Sequence, residues 1–189
     1  ETVRVIVPED LPADQPAPLI VALHGFGSNP REFAAYWRTL AAKHGAVLAA
    51  PRGTAALGDR AQLHYGWFIA GNPRNLDVSG GERAVRDAIA RAEKAHPIDT
   101  DHVVVVGFSQ GADLAVRVVR ADPGRYAGVV SLGAYLEGVD CTAWPVDAKS
   151  QPRVALLHGA RDRPAKQAAE TAQAGLKQAG CPGQVWDCL

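Results

Sequence analysis

Residues 102–115 read HVVVVGFSQGADLA: a β-branched run, a serine between two glycines, then residues that favour helix. The valines lack polar alternation, as a strand buried on both faces of a sheet does. Gly107-Phe108-Ser109-Gln110-Gly111 follows with no linker and passes straight into a helix-period segment over 110–120. A strand-to-helix turn this tight forces its central residue into a strained backbone conformation. A Cβ at either glycine would crowd its neighbours. The serine is thereby raised above the sheet edge at a helix N-terminus, whose free N–H groups and dipole favour developing negative charge. This is G-x-S-x-G in the context it requires, and it makes Ser109 the candidate nucleophile.

Working outward, further apolar runs fall at 3–7, 19–23, 47–50, 128–132, 154–157 and 184–186. Those from residue 19 onward also lack alternation and read as strands buried on both faces. Helix-period segments lie between them at 30–44, 80–95 and 164–179, the first announced by Ser28-Asn29-Pro30. The βαβα order implies right-handed crossovers and an α/β fold: a mostly parallel sheet with helices on both faces and ligands at the C-terminal strand ends. One α/β domain over 1–189 is expected, with no repeat, linker or low-complexity tract. Segment 52–78, rich in Gly, Asn and aromatics, has no clear period and reads as a long functional loop.

Composition narrows the classes. The chain has 189 residues, 47% of them hydrophobic, and its 20 Lys+Arg balance 20 Asp+Glu, so no net field would draw it to nucleic acid or an anionic bilayer. No apolar run is long enough for stable membrane insertion. Residues 1–4, ETVR, do not resemble a secretory signal, and with no Met anywhere the chain is expected to lack its original N-terminus. Cytoplasmic residence is the expectation, with secretion after signal removal the open alternative. Cys141, Cys181 and Cys188 form no CxxC pair and no cluster with His, so no metal site is expected. They read as free thiols; in an oxidising compartment Cys181 could pair with either of the others.

Two further motifs bear on chemistry. His24-Gly25-Phe26-Gly27 follows the 19–23 run, where esterases of this fold place a turn that aims one backbone N–H at the oxyanion. Phe26 N–H and Gln110 N–H are the candidate oxyanion hole, with Gly25 on the substrate side of the turn. His24 invites a catalytic reading, but its place in the turn favours a structural one, bonded to nearby backbone. His158-Gly159-Ala160-Arg161-Asp162 follows the 154–157 run, where an acid late in the chain would orient a histidine. Asp162 is that candidate; Glu137 and Asp140 are rivals that read more simply as loop charges.

LHGFGSNPREF at 23–33, PRG at 51–53, YGWF at 65–68, GFSQGADLA at 107–115 and LHGARD at 157–162 together resemble the phospholipase/carboxylesterase family of α/β-hydrolases, which includes the acyl-protein thioesterases. The resemblance spans nearly the whole chain. It implies a compact, lidless esterase acting on small-molecule carboxylic esters or thioesters without a cofactor. It also implies the roles given above to Ser109, Asp162, Phe26 and Gln110, and places Trp67 in the acyl or leaving-group pocket. One departure is local: the family has apolar residues and then Pro after its acid, whereas Arg163-Pro164 follows Asp162 here. A dienelactone-type hydrolase is the weaker comparison, since it would carry Cys where Ser109 stands.

The larger departure is that no histidine follows His158, although the order Ser, Asp, His demands a base after Asp162. Three explanations stay open. The chain is truncated just after its last strand and before the histidine loop; or it is an inactive pseudo-hydrolase that binds without turnover; or His64, ahead of Trp67, is recruited. His44, His96 and His102 read as surface residues at the far edge of the sheet. With few residues left to cap it, the site should be open and accept short acyl groups. An exposed last strand would make a homo-oligomer possible through that edge.

Overall fold

The computed structural model describes residues 2–57, 64–67, 78–136, 139–144, 152–181 and 183–188, the last stretch as backbone. In chain order its elements are β1 (Val3–Ile6), β2 (Ala17–Leu23), α1 (Pro30–Lys43), β3 (Val47–Pro51), β4 (Ala55–Leu57), β5 (His64–Gly66), α2 (Val78–Ala95), β6 (Ile98–Phe108), α3 (Gln110–Ala121), β7 (Gly128–Leu132), β8 (Arg153–Gly159), α4 (Arg163–Gln178) and β9 (Gly183–Cys188). Seven strands make one sheet in the order β1-β3-β2-β6-β7-β8-β9. β1 runs antiparallel to β3 and every other neighbouring pair is parallel, which is the mostly parallel sheet expected from the βαβα order and the α/β-hydrolase fold that the resemblance implies.

The helices begin where their sequences say they should. Asn29 caps α1, its side chain accepting from Glu32 N–H at 3.0 Å, while Ser28 Oγ donates to the Glu32 carboxylate at 3.1 Å. Pro30 then occupies the first helical turn, where no N–H is needed. Helices α2, α3 and α4 cover one sheet face and share the main core with Leu19, Val21, Val47, Val105 and Leu156. On the opposite face α1 packs Phe33, Ala34 and Ala41 against Ala22, Leu48 and Val106.

That second face corrects one expectation. Strand β3 and the end of β2 at Val21–Leu23 are buried on both sides, but along β7 and β8 the burial alternates: Val129 and Val154 are buried while Val130, Ala155 and Leu157 are only half-buried. Among the described residues no helix covers that half of the α1 face. The valine-rich composition signals a strand fit for double burial; it cannot say which element supplies the second cover.

A second correction concerns 52–78. Residues 55–57 and 64–66 pair as the antiparallel hairpin β4–β5, whose strands are too short to show a period in sequence. Residues 58–63 and 68–77 of that segment, Phe68 included, lie outside the described residues, as do Glu137 and the side chains of Trp186 and Cys188. His96 is also no surface residue: it is 6% exposed, with Gln15 C=O 3.0 Å from its Nε2. Among the described residues no helix is long and apolar enough to cross a membrane, and no His, Cys, Asp or Glu cluster could hold a metal ion. Cys141 and Cys181 are buried free thiols.

Candidate active site

Ser109 is the single residue between β6 and α3, and its backbone sits at φ 52°, ψ −121°. For a residue with a Cβ this is strained, and the surroundings hold it there. Its N–H donates to Leu132 C=O on β7 at 2.9 Å, and its C=O accepts from Ala112 N–H at 2.9 Å. A Cβ on Gly107 would lie 2.2 Å from Gly111 O, and one on Gly111 would lie 2.2 Å from Leu23 O and 2.5 Å from His24 O. All of these are backbone atoms that cannot swing aside, so glycine is required at both positions. The Ser109 side chain makes no capping bond to α3, and the residue is only half-buried.

β2 lies beside β6 with Leu23 paired to Gly107, so the turn at 24–27 emerges next to the elbow. Gly25 is buried against it: an added Cβ would meet the Phe108 ring at 3.0 Å. Gly27 takes φ 78°, and its N–H donates to Tyr65 C=O at 3.0 Å while Tyr65 N–H donates to Ser28 C=O at 2.9 Å. Phe26 is left 49% exposed on the site side. Phe26 and Gln110 come together over Gly66, where an added Cβ would stand 2.9 Å from the Phe26 ring and 3.2 Å from Gln110 Oε1.

His24 is fully buried and has the structural role its turn suggested. Its Nδ1 lies 2.8 Å from Gly25 C=O, and its Nε2 accepts from Gly53 N–H at 3.0 Å, which fixes the proton on Nδ1. Burial holds its pKa below the ordinary value, so the ring stays neutral. Trp67 packs against it with ring centroids 5.1 Å apart and donates its indole N–H to His24 C=O at 2.7 Å. At 1% exposed, Trp67 lies beneath the site, with its own N–H donating to Gln110 Oε1 at 3.1 Å and its C=O accepting from Thr54 Oγ1 at 3.1 Å. The PRG motif serves the same layer: besides the Gly53 bond, the Arg52 guanidinium stands 4.9 Å over the Tyr65 ring.

Asp162 follows β8 at the same sheet edge as Ser109, with β7 between them, so their strands stand about 10 Å apart. It is also the N-cap of α4: one carboxylate oxygen accepts from Ala165 N–H at 3.2 Å. This accounts for Arg163-Pro164, since Pro suits the first turn after a capping Asp. The rival Asp140 is spent locally, accepting from Thr142 N–H at 2.9 Å and Thr142 Oγ1 at 2.6 Å. The described structure thus gathers Ser109, Gly25, Phe26 and Gln110 around one point, with Trp67 below and Asp162 two strands away.

The histidines lie elsewhere. His44, His96 and His102 are at the opposite edge, and His102 pairs with Asp99 at 2.7 Å. His158 is buried within β8, its Nδ1 3.3 Å from Gly159 C=O. His64 is exposed on β5, paired in register with Leu57. Beside Phe26 and Phe108 an apolar groove of about 510 Å³ runs down α1, lined also by Phe33, Trp37, Leu40 and Leu132.

Comparison with known proteins bears on the family and the fold. The sequence model described as Phospholipase/Carboxylesterase matches residues 4–179. A relative named "Putative esterase NocK" from Nocardia uniformis subsp. tsuyamanensis is 31% identical over 125 residues, 63% of this chain. The chain spans only 33% of that relative's length. The crystal structure of esterase PE8 superposes with a TM-score of 0.72 at 24% identity, covering 99% of this chain and 88% of that one. That of a carboxylesterase from Mesorhizobium loti gives 0.70 at 21% identity, covering 98% and 88%.

Proposed function

Since this chain belongs to the phospholipase/carboxylesterase family, whose fold it shares with solved esterases, we propose that it is a serine carboxylesterase acting on short-chain carboxylic esters or thioesters of small molecules. The observation that carries this reading is Ser109, held at φ 52° between a strand and a helix. Its Oγ attacks the carbonyl carbon, and the resulting oxyanion is received by the Phe26 and Gln110 N–H groups. Collapse of that intermediate expels the alcohol or thiol and leaves the acyl group on Ser109. Water then attacks the acyl-enzyme and frees the acid. No step calls for a cofactor.

Ser109 needs a base, and Asp162 is proposed to orient it. We place that base on a histidine outside these 189 residues. Two observations support this: His24 already uses both ring nitrogens, and among the described residues no helix covers the β7–β8 half of the α1 face. Without the base, turnover should be lower by on the order of 10⁴ to 10⁶. The same histidine placements favour, as the second reading, a binding protein on this fold that does not turn substrate over.

Hydrolysis of p-nitrophenyl acetate and butyrate by this chain and by a longer gene product, each beside its Ser109→Ala variant, separates the two. Activity in the longer protein that vanishes with Ser109 supports the esterase. Inactivity of both favours the binding protein, and activity that survives without Ser109 overturns the serine-esterase reading.

A further inference from the structure

Resting on the esterase reading above, we propose that the Gln110 side chain is a positioning residue, and that the main chain of 65–67 sets the width of the oxyanion hole by gripping both of its donors. The donors come from different elements, Phe26 from the turn after β2 and Gln110 from the start of α3. Residues Tyr65, Gly66 and Trp67 lie between them. Tyr65 exchanges two backbone bonds with the Phe26 turn, at 3.0 Å with Gly27 N–H and 2.9 Å with Ser28 C=O. Trp67, two residues on, donates its N–H to Gln110 Oε1 at 3.1 Å and its indole N–H to His24 C=O at 2.7 Å. One short segment therefore ties down both donors.

The spacing is tight. A Cβ on Gly66 would strike the Phe26 ring at 2.9 Å from one side and meet Gln110 Oε1 at 3.2 Å from the other. From behind, Gly53 stands so close that a Cβ on it would lie 2.5 Å from Gly66 O. The chemistry of position 110 follows from this grip. Its side chain must reach Trp67 N–H, accept a hydrogen bond, and carry no charge beside an oxyanion. Glutamine meets all three needs. Glutamate would reach and accept but add negative charge, and methionine would fill the space without accepting. The side-chain bond orients the residue whose own N–H faces the substrate, so Gln110 contributes one atom to the oxyanion hole and a second to its alignment.

The test compares wild type, Gln110→Met and Ser109→Ala in the protein that shows esterase activity, with amide hydrogen exchange at Trp67 as a readout independent of turnover. Gln110→Met should lower kcat by about 10- to 100-fold while KM stays within about twofold. Affinity for an alkyl boronic acid, whose tetrahedral adduct mimics the oxyanion, should fall by the same factor as kcat. Trp67 N–H, slow to exchange in wild type, should exchange faster. Gln110→Glu, which restores the acceptor, should recover the slow exchange but not kcat. If hydrolysis depends on Ser109 yet Gln110→Met keeps the wild-type kcat, or Trp67 exchange is unchanged, the positioning role is overturned and the esterase reading stands. If no hydrolysis depends on Ser109, the esterase reading falls and this inference with it.

Discussion

Three Gly→Ala substitutions near the site should rank in an order that the backbone geometry dictates. At Gly111 the new Cβ would lie 2.2 Å from Leu23 O and 2.5 Å from His24 O. Relief to ordinary contact requires α3 and the end of β2 to separate by about 1 Å, and neither side is a flexible side chain. Overpacking of this kind costs about 1–3 kcal/mol where side chains can adjust, so Gly111→Ala should cost about 3 kcal/mol or more. The two elements forced apart carry the two proposed oxyanion donors, and a displacement of about 1 Å there should lower kcat by on the order of 10². At Gly27 nothing lies within 4 Å, but φ is +78°, so Gly27→Ala should cost about 1–2 kcal/mol from backbone strain alone. At Gly159 the nearest atom is Asp162 Cβ at 3.8 Å and φ is not left-handed. Gly159→Ala should be neutral or stabilise by about 0.4–1 kcal/mol through the unfolded chain. Urea unfolding followed by circular dichroism gives the three values; for a chain of this size each kcal/mol also moves Tm by about 2–4 °C. Gly111→Ala unfolding no more easily than Gly27→Ala would refute the placement of the elbow against the end of β2.

Trp67→Phe removes the indole N–H and strands the buried His24 carbonyl, so it should cost about 1–3 kcal/mol in the same urea assay; an unchanged midpoint would remove Trp67 from beneath the turn. His24 is kept neutral by burial, its pKa below the ordinary 6.5, so the unfolded chain takes up this proton first. Its contribution to stability is whole above pH 6.5 and is lost as pH falls through the lowered folded value. Urea midpoints should decline from pH 6.5 toward the carboxylate range, and a His24→Gln variant, weaker at neutral pH, should lack that decline. Burial pushes the Cys141 thiol up to about 11, and Cys181 in the same direction. Both should ignore Ellman's reagent at pH 8 in the folded protein and react once it is denatured; prompt reaction in the native state would contradict their burial.

Much of this architecture is legible in the sequence because its signals are local. The valines before Gly107, the glycines around Ser109 and the Asn29-Pro30 helix start each carry their structural reason within a few residues. What escapes is set by distant partners. His96 looks like a surface residue at a helix end until Gln15 C=O is found beside its Nε2. Trp67 taken alone reads as core packing and the resemblance puts it at the pocket, but neither reading names the partner of its indole, His24 C=O, 43 positions away in the chain. β5 is three residues long and shows no period, though its Tyr65 exchanges two backbone bonds with the turn after β2. Asp162 illustrates a double use: the Asp-x-Pro signal of a helix start overlaps the position of a candidate acid, and either reading taken alone is incomplete.

The most direct test of the central claim is to trap the acyl group. The esterase-active protein would be quenched in acid during p-nitrophenyl butyrate turnover, digested and mapped by mass spectrometry. A single butyryl adduct on the peptide bearing Ser109, absent from Ser109→Ala, is the predicted result. Butyrylation confined to another residue, or hydrolysis that continues unchanged in Ser109→Ala, would contradict it.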